Sequence, residues 1–274
     1  MSVIAVSRGS LKAATQLAEG LHSRIGSRVI DREDVLKAAE RYSIGETGLE
    51  IRHILAEHSP GFWESYSEAR RHYLACFKAA LLDFVLEGPV IYHGNLAHVL
   101  LKDVPFVLRV RVNAPIEKRA DSVIADRGVS REEAFRIIRA IDRQRQRWTQ
   151  FLYDEDATAA VQLFDLVLNL DRITLQDGVE MVAAAVGKEA FRRTEEALQV
   201  VKDFHLAAVA QTRIMSNPET YALDLQIKAD SSAGKVIVAG LLPAGNAKLI
   251  GEEIRSSLSG LQQVKDVAVD IKIG

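Results

Sequence analysis

Short, nearly uninterrupted apolar runs recur along the first two thirds of this 274-residue chain, separated by longer helical, charge-bearing stretches. Val3-Ile4-Ala5-Val6, Arg28-Val29-Ile30-Asp31, Val90-Ile91-Tyr92, the run 106–112 and the run 164–169 each have the length and branched-residue content of a strand. A strand buried on both faces has no wet face to alternate with. A parallel neighbour is reached only by a crossover, usually a helix. Residues 1–186 are therefore expected to form an α/β unit, a parallel sheet with helices on both faces.

The intervening sequence fits that reading. Leu11, Ala14, Leu17, Ala18 and Leu21 recur at helical spacing after the first strand, and a helical, charge-rich stretch over 33–86 is stopped by Gly88-Pro89. Asn113-Ala114-Pro115 ends the fourth strand and opens a helix at Ile116; further helices are expected through the basic stretch that follows and over 175–186. From Gly187 the character changes. Residues 189–215 read as one helix without internal Gly or Pro, closed by Asn217-Pro218, and strands over 221–227 and 235–239 flank Ser231-Ser232-Ala233-Gly234. Leu249, Ile250, Ile254, Leu258 and Leu261 make one helical face, and Val267, Val269, Ile271 and Ile273 alternate as a last strand. The tail thus reads α-β-β-α-β, an α+β unit with its own core. The expected organisation is a first domain over 1–188, a connecting helix over 189–205 and a tail domain over 206–274.

Composition excludes several classes. A net charge of −2 gives no overall attraction for nucleic acid or anionic lipid. Apolar stretches such as 181–186 are far too short to cross a bilayer, so no stable membrane insertion is expected. The start carries Arg8 and no secretory leader pattern, and the lone Cys76 cannot form an internal disulfide, so a cytoplasmic protein is expected. Homo-oligomerisation is left open.

The first strand–helix turn is the place where a phosphate-binding loop would sit. Such a loop, G-x-x-x-x-G-K-[ST], aims successive backbone N–H groups and a helix N-terminus at a polyphosphate, with a lysine on the outer phosphates and a hydroxyl on Mg²⁺. Here a single glycine stands between Ser7 and Leu17, and Lys12 is followed by Ala13. The groups available are Ser7, Arg8, Gly9, Ser10 and Lys12. A strand, a Gly-Ser turn and a helix also occur in α/β proteins with no such role.

Stronger information lies further on. The run Gly88-Pro89-Val90-Ile91-Tyr92-His93-Gly94-Asn95-Leu96-Ala97-His98, then Val107-Leu108-Arg109-Val110, Ala114-Pro115-Ile116-Glu117-Lys118-Arg119, Asp142-Arg143-Gln144-Arg145-Gln146-Arg147-Trp148 and the strand 164–169 resembles, in order and spacing, the cytidylate-kinase-like family of P-loop phosphotransferases. The resemblance covers 1–186. It implies a nucleoside-monophosphate-kinase fold, ATP with Mg²⁺ at the first turn, and a nucleotide or other phosphorylated small molecule as acceptor. Catalysis in such folds is positioning plus neutralisation of phosphoryl charge. By position, Arg119, Arg143, Arg145 and Arg147 are the lid-type catalytic candidates, and Asp31, Arg32 and Asn95 are candidates for the acceptor. Three departures imply weak or altered phosphotransfer and weak ATP binding: the contracted turn, Gly94-Asn95 where relatives carry Gly-Arg, and Leu170 where they often carry a hydroxyl.

Other readings stay open beside these. In an unbroken helix Arg139, Arg143 and Arg147 share one face, while Arg145 sits about 200° around, where it can pair with Asp142 on the surface. Asp31 and Arg32 also suit a turn and helix cap. His93 and His98 read as core or rim histidines rather than metal ligands, and Phe62, Trp63 and Tyr66 as packing at a helix start. Gly234-Lys235-Val236-Ile237-Val238-Ala239-Gly240 with the run 264–271 makes the tail resemble a BON domain, which implies a small ligand or partner and a non-catalytic sensor as the alternative function.

Overall fold

The computed structural model describes residues 2–8, 11–42, 67–94, 97–153, 162–242 and 245–274. Gly9, Ser10, Phe62, Trp63, Tyr66 and Asn95 lie outside them, as do the side chains of Arg8, Arg145 and Arg147. Two compact units emerge. One comprises 1–32 with 88–193, the other 33–87 with 194–274.

The first unit is built on a five-stranded, all-parallel sheet: β1 (Val3–Arg8), β2 (Arg28–Asp31), β3 (Val90–Gly94), β4 (Val107–Asn113) and β5 (Leu166–Asn169), in the order β2-β3-β1-β4-β5. This is the parallel α/β architecture that the apolar runs predict. β1 lies at the centre because Val3, Ile4, Ala5 and Val6 tolerate burial on both faces. It is also longer than its apolar run. Ser7 and Arg8, expected in the turn, extend the strand and pair with Gly94, Arg111 and Val112.

One face of the sheet is closed by α1 (Leu11–Ile25) and α7 (Leu175–Val186). Ala14, Leu17, Ala18 and Leu21 of α1 pack with Val179 and Val182 of α7 onto Ile4, Val6, Leu108, Val110, Val112 and Leu168. The helices approach closely at Gly20, where a Cβ would lie 2.6 Å from Val179 Cγ2. Thr174 and Asp177 hold the start of α7 in a reciprocal capping box. The short helix α4 (Ala97–Leu100) packs on the opposite face. Beyond β4 the chain forms a helical hairpin, α5 (Ile116–Arg127) and α6 (Arg131–Tyr153), turned by Gly128 at φ 65°. Its core of Ala120, Ala134 and Ile138 is separate from the core under the sheet.

The second unit holds α2 (Arg32–Ala39) from Glu33 onward, a 3₁₀ turn over Glu40–Tyr42, α3 (Ser67–Glu87), α8 (Glu195–Met215), α9 (Ala247–Leu258) and a sheet of β6 (Leu225–Asp230), β7 (Lys235–Leu242) and β8 (Asp266–Ile273). β7 is central, antiparallel to β6 and parallel to β8. Leu206, Ala210 and Ile214 of α8 cover Val236 and Val238, joined by Ile254 and Leu258 of α9. The α-β-β-α-β order follows the sequence pattern, with different boundaries. The helix expected over 189–215 breaks, because Thr194 caps a new start by accepting a hydrogen bond from Ala197 N–H, leaving a 3₁₀ turn at Glu189–Phe191. The strand expected from 221 begins at Leu225, since Tyr221 N–H is held by Asn217 C=O in a turn. Of the glycines flanking the central strand, Gly234 has φ +68°; Gly240 does not have a positive φ, and a Cβ there would meet Leu225 at 2.5 Å.

Helix α8 runs unbroken through the expected boundary at 205/206, and it is buried on more than the sheet side. Val201, Ala208, Thr212 and Met215 form a second buried stripe, and α3 packs along the helix. Between the two, Asp83 of α3 accepts hydrogen bonds from Tyr42 Oη (2.6 Å) and His205 Nε2 (2.8 Å) and contacts Arg41. Burial alone would raise the Asp83 carboxyl; the bonds from His205, Tyr42 and Arg41 outweigh it and hold it below the usual carboxylate range. Cys76, on the same helix, is buried, and its thiol is pushed up to about 12 by that burial.

The segment 194–274 produced without 33–87 is expected to expose the Val201, Ala208, Thr212 and Met215 stripe and to self-associate. Sedimentation of the fragment checks this, and a monodisperse, cooperatively melting monomer would show that α3 is dispensable.

Candidate functional site

In an open α/β sheet, ligands collect outside the carboxyl ends of the strands, where neighbouring connections leave in opposite directions. In this sheet the chain leaves β1 toward β2 on one side and leaves β4 toward β5 on the other, so the crevice opens between β1 and β4. Its lip is formed by the strand ends: Ser7 and Arg8 of β1, Gly94 of β3, Arg111 to Asn113 of β4 and Asn169 of β5.

Strand register and pleat sort these residues by face. Gly94, Ser7, Arg111 and Val167 stand in one row across the sheet. They lie on the face away from α1, with Tyr92, Arg109 and Asn113. Gly94 is required there, because a Cβ would fall 2.3 Å from Tyr92 Oη. Arg109 is held by Asp165 through Nη2 (2.7 Å) and Nε (3.1 Å), and Asp165 also accepts the Arg109 backbone N–H (2.8 Å). Arg111 is engaged differently. Its Nε donates to Asn113 Oδ1 at 3.0 Å, which leans the side chain toward the carboxyl edge, and its guanidinium lies 5.7 Å from the Phe164 ring centroid. Phe164 in turn stacks on His98 of α4, 4.3 Å between centroids at 33°.

His98 is 5% exposed, and its Nδ1 has no hydrogen-bond partner among the described residues. Burial, reinforced by the Arg111 and Arg109 charges, pushes its pKa down to about 3, so the ring is neutral over the physiological range. His93 is also buried, in register with Asp31 of β2.

The residues singled out in the sequence are distributed as follows. Ser7 lies at the crevice. Lys12, in the first turn of α1, forms an ion pair with Asp126 of α5 at 3.0 Å, both half-exposed. Asp31 ends β2 and Arg32 begins α2. Arg119 is only 15% exposed and binds Asp142 through two bonds of 2.8 Å, tying α5 to α6. Asp142 is thus engaged across the hairpin. Arg143 is exposed on α6. Leu170 packs against the apolar cluster under α1, and Lys118 holds the chain there by donating to the Leu170 and Asp171 carbonyls. Arg111 and Phe164 were absent from the sequence-derived candidates. The signal for Arg111 is the alternation Arg109-Val110-Arg111-Val112-Asn113, which sets three polar side chains on one face of a strand otherwise expected to be dry; Phe164 carries no such local mark.

The sequence profile of the cytidylate kinase-like family matches residues 3–172. The chain belongs to that family. Cytidylate kinase of Pyrococcus horikoshii is 27% identical over 154 residues, 55% of this chain and 79% of its own length. Cytidylate kinase of Methanopyrus kandleri is 31% identical over 107 residues, 38% of this chain and 54% of its own. Among solved structures, an uncharacterized protein from Eubacterium ventriosum shares 12% identity, covering 68% of this chain and 97% of its own, with a TM-score of 0.49. This cytidylate kinase-like chain carries its family match up to the end of the parallel sheet; the segment 194–274 lies outside it. No helix among the described residues is long and apolar enough to cross a membrane.

His98 gives a stability signature. Between about pH 6.5, where an ordinary imidazole titrates, and about pH 3, the unfolded chain holds a proton that the folded chain refuses. The His98 contribution is therefore intact above pH 6.5 and shrinks as pH falls through that window. Denaturant midpoints measured from pH 7 to 4 should fall less steeply for His98→Leu than for the wild type; equal slopes would show that His98 titrates normally.

Proposed function

We propose that the chain binds a nucleotide by its phosphates at the β1–β4 crevice and carries out weak or altered ATP-dependent phosphotransfer to a nucleoside monophosphate or a similar acceptor, in the cytoplasm. One observation carries this reading: in a member of the cytidylate kinase-like family, the crevice opens at the carboxyl ends of β1 and β4, with only two residues between the end of β1 and the start of α1. Ser7 to Ser10 and Lys12 would face the donor phosphates, Asp31, Arg32 and Asn95 the acceptor, and Arg119, Arg143, Arg145 and Arg147 the transferring group.

The residues fit ATP with Mg²⁺ only partly. Two residues between strand and helix offer fewer N–H donors than a full phosphate loop. Among the described residues no group of three His, Cys, Asp or Glu is placed to hold a metal ion. When bound, Mg²⁺ would neutralise phosphate charge. In our reading the kinase-like domain lies within 1–188 and the BON-like domain within 206–274; the connecting helix expected over 189–205 starts only at Glu195 and continues into the tail, whose unit also takes in 33–87.

A second reading is supported by the ion pairs. Lys12 and Arg119, two of the cations a phosphotransferase would direct at substrate, are already neutralised by Asp126 and Asp142. A non-catalytic sensor, in which the tail responds to ligand binding, needs no such release.

Thermal shift and calorimetry with CMP, CDP and ATP, each with and without Mg²⁺, test binding, because a ligand selective for the folded state raises its apparent stability. Weak ATP binding is expected. Tight, Mg²⁺-dependent binding would contradict the contracted turn, and absence of any nucleotide binding would remove both readings. A product assay separates enzyme from sensor. Asp126→Ala should free Lys12 and tighten ATP binding by about two- to fivefold, the scale of an exposed ion pair. Arg145→Ala with Arg147→Ala should weaken it by roughly tenfold or more, exceeding Lys12→Ala.

A further inference from the structure

The cations around the carboxyl edge of the first unit are not alike. Lys12, Arg109, Lys118 and Arg119 each have a carboxylate within 4 Å, namely Asp126, Asp165, Asp171 and Asp142. Arg111 has none among the described residues. Its neighbours are a neutral amide, Asn113, an aromatic face, Phe164, and beyond that the imidazole of His98. A half-buried guanidinium without a counter-charge is costly, because burial removes the water that would otherwise screen it. The surroundings nevertheless hold it in one orientation. Asn113, two residues nearer the carboxyl end of β4, takes Nε, and the Phe164 ring lies 5.7 Å from the guanidinium carbon.

We propose that Arg111 is an anion-binding residue of this crevice, presenting its two terminal nitrogens, with the Ser7 hydroxyl from the neighbouring strand, to the oxygens of a phosphoryl group. This rests on the nucleotide reading given above and adds to it a binding residue on β4, outside the first turn. Three features support the assignment. Ser7 and Arg111 are register partners on the two strands that flank the switch point, so both stand on one face at one height. A guanidinium with Nε occupied keeps its terminal N–H groups in the planar fork that matches two phosphate oxygens. Lys12 is held by Asp126, so Arg111 is the described cation at this crevice left without an anion. An anion seated there would also lessen the positive field on His98, one of the causes of its depressed pKa.

The test uses the full chain, with inorganic pyrophosphate and ATP as separate probes in calorimetry. Arg111→Gln keeps the length and removes the charge, and Arg111→Lys keeps the charge and removes the fork. Arg24→Gln, at the far end of α1 and paired with Glu180, is the charge-matched control. Arg111→Gln is expected to weaken pyrophosphate binding at least tenfold, Arg111→Lys three- to tenfold, and Arg24→Gln less than twofold. Pyrophosphate should also shift the His98 ring resonances of the wild type and leave them unmoved in Arg111→Gln. If Arg111→Gln fails to fold, Arg111→Lys decides: affinity equal to the wild type overturns the proposal. Nucleotide and pyrophosphate binding indifferent to Arg111 would overturn the assignment and leave the nucleotide reading standing. Arg111-dependent pyrophosphate binding without any nucleotide binding would do the reverse. A wild type that binds neither probe overturns both.

Discussion

Val3 to Val6 of β1 are buried from both sides between parallel neighbours, and the rest of the first unit is arranged around that burial. Parallel pairing forces each connection to cross a face of the sheet, which supplies the helices that keep both faces dry. It also concentrates polar groups. Backbone and side chains that need water or a ligand can leave this sheet only at its ends, and the carboxyl end is where the connections diverge. The crevice is a consequence of the same constraint that builds the core.

Much of this is legible in the amino-acid order because burial on both faces leaves a strong local mark. The runs at 3–6, 28–31, 90–92, 106–112 and 164–169 all coincide with strands of the parallel sheet. What local pattern does not carry is where a strand stops when polar residues continue it. Ser7 and Arg8 look like turn residues, and they are held extended because Gly94, Arg111 and Val112 offer backbone partners on either side. Thr194 shows the opposite failure. An uninterrupted absence of Gly and Pro over 189–215 conceals a helix start that a single hydroxyl determines.

The site is less legible than the fold, for a related reason. Charge clusters in sequence draw attention to helices such as α6, yet a guanidinium is informative only once its partner is known. Arg119 and Arg109 look equivalent to Arg111 along the chain. They differ because Asp142 and Asp165, distant in sequence, reach two of them and not the third. The pairing of 33–87 with 194–274 in one unit is likewise a long-range fact. Helix α8 carries two buried stripes, and a sequence pattern broad enough for both reads simply as a more apolar helix.

The balance of charge at the crevice then distinguishes two ways of losing a phosphate loop. Shortening the turn removes N–H donors but not the helix end, so the anion preference of the α1 start survives in weaker form. Pairing Lys12 with Asp126 cancels its charge by a contact that is exposed and therefore worth little, on the order of 1 kcal/mol or less. A polyphosphate carrying several charges can outcompete a single surface carboxylate for that lysine. Arg109, bound by two side-chain bonds to a partner that also takes its backbone N–H, is not released so cheaply. Among the described side chains, the edge of the sheet thus holds cations fixed into the fold, Lys12 held by a weak exchangeable partner, and Arg111 positioned against neutral groups. Among these described cations, Lys12 of α1 and Arg111 of β4 can take an anion without breaking a contact that holds the fold together.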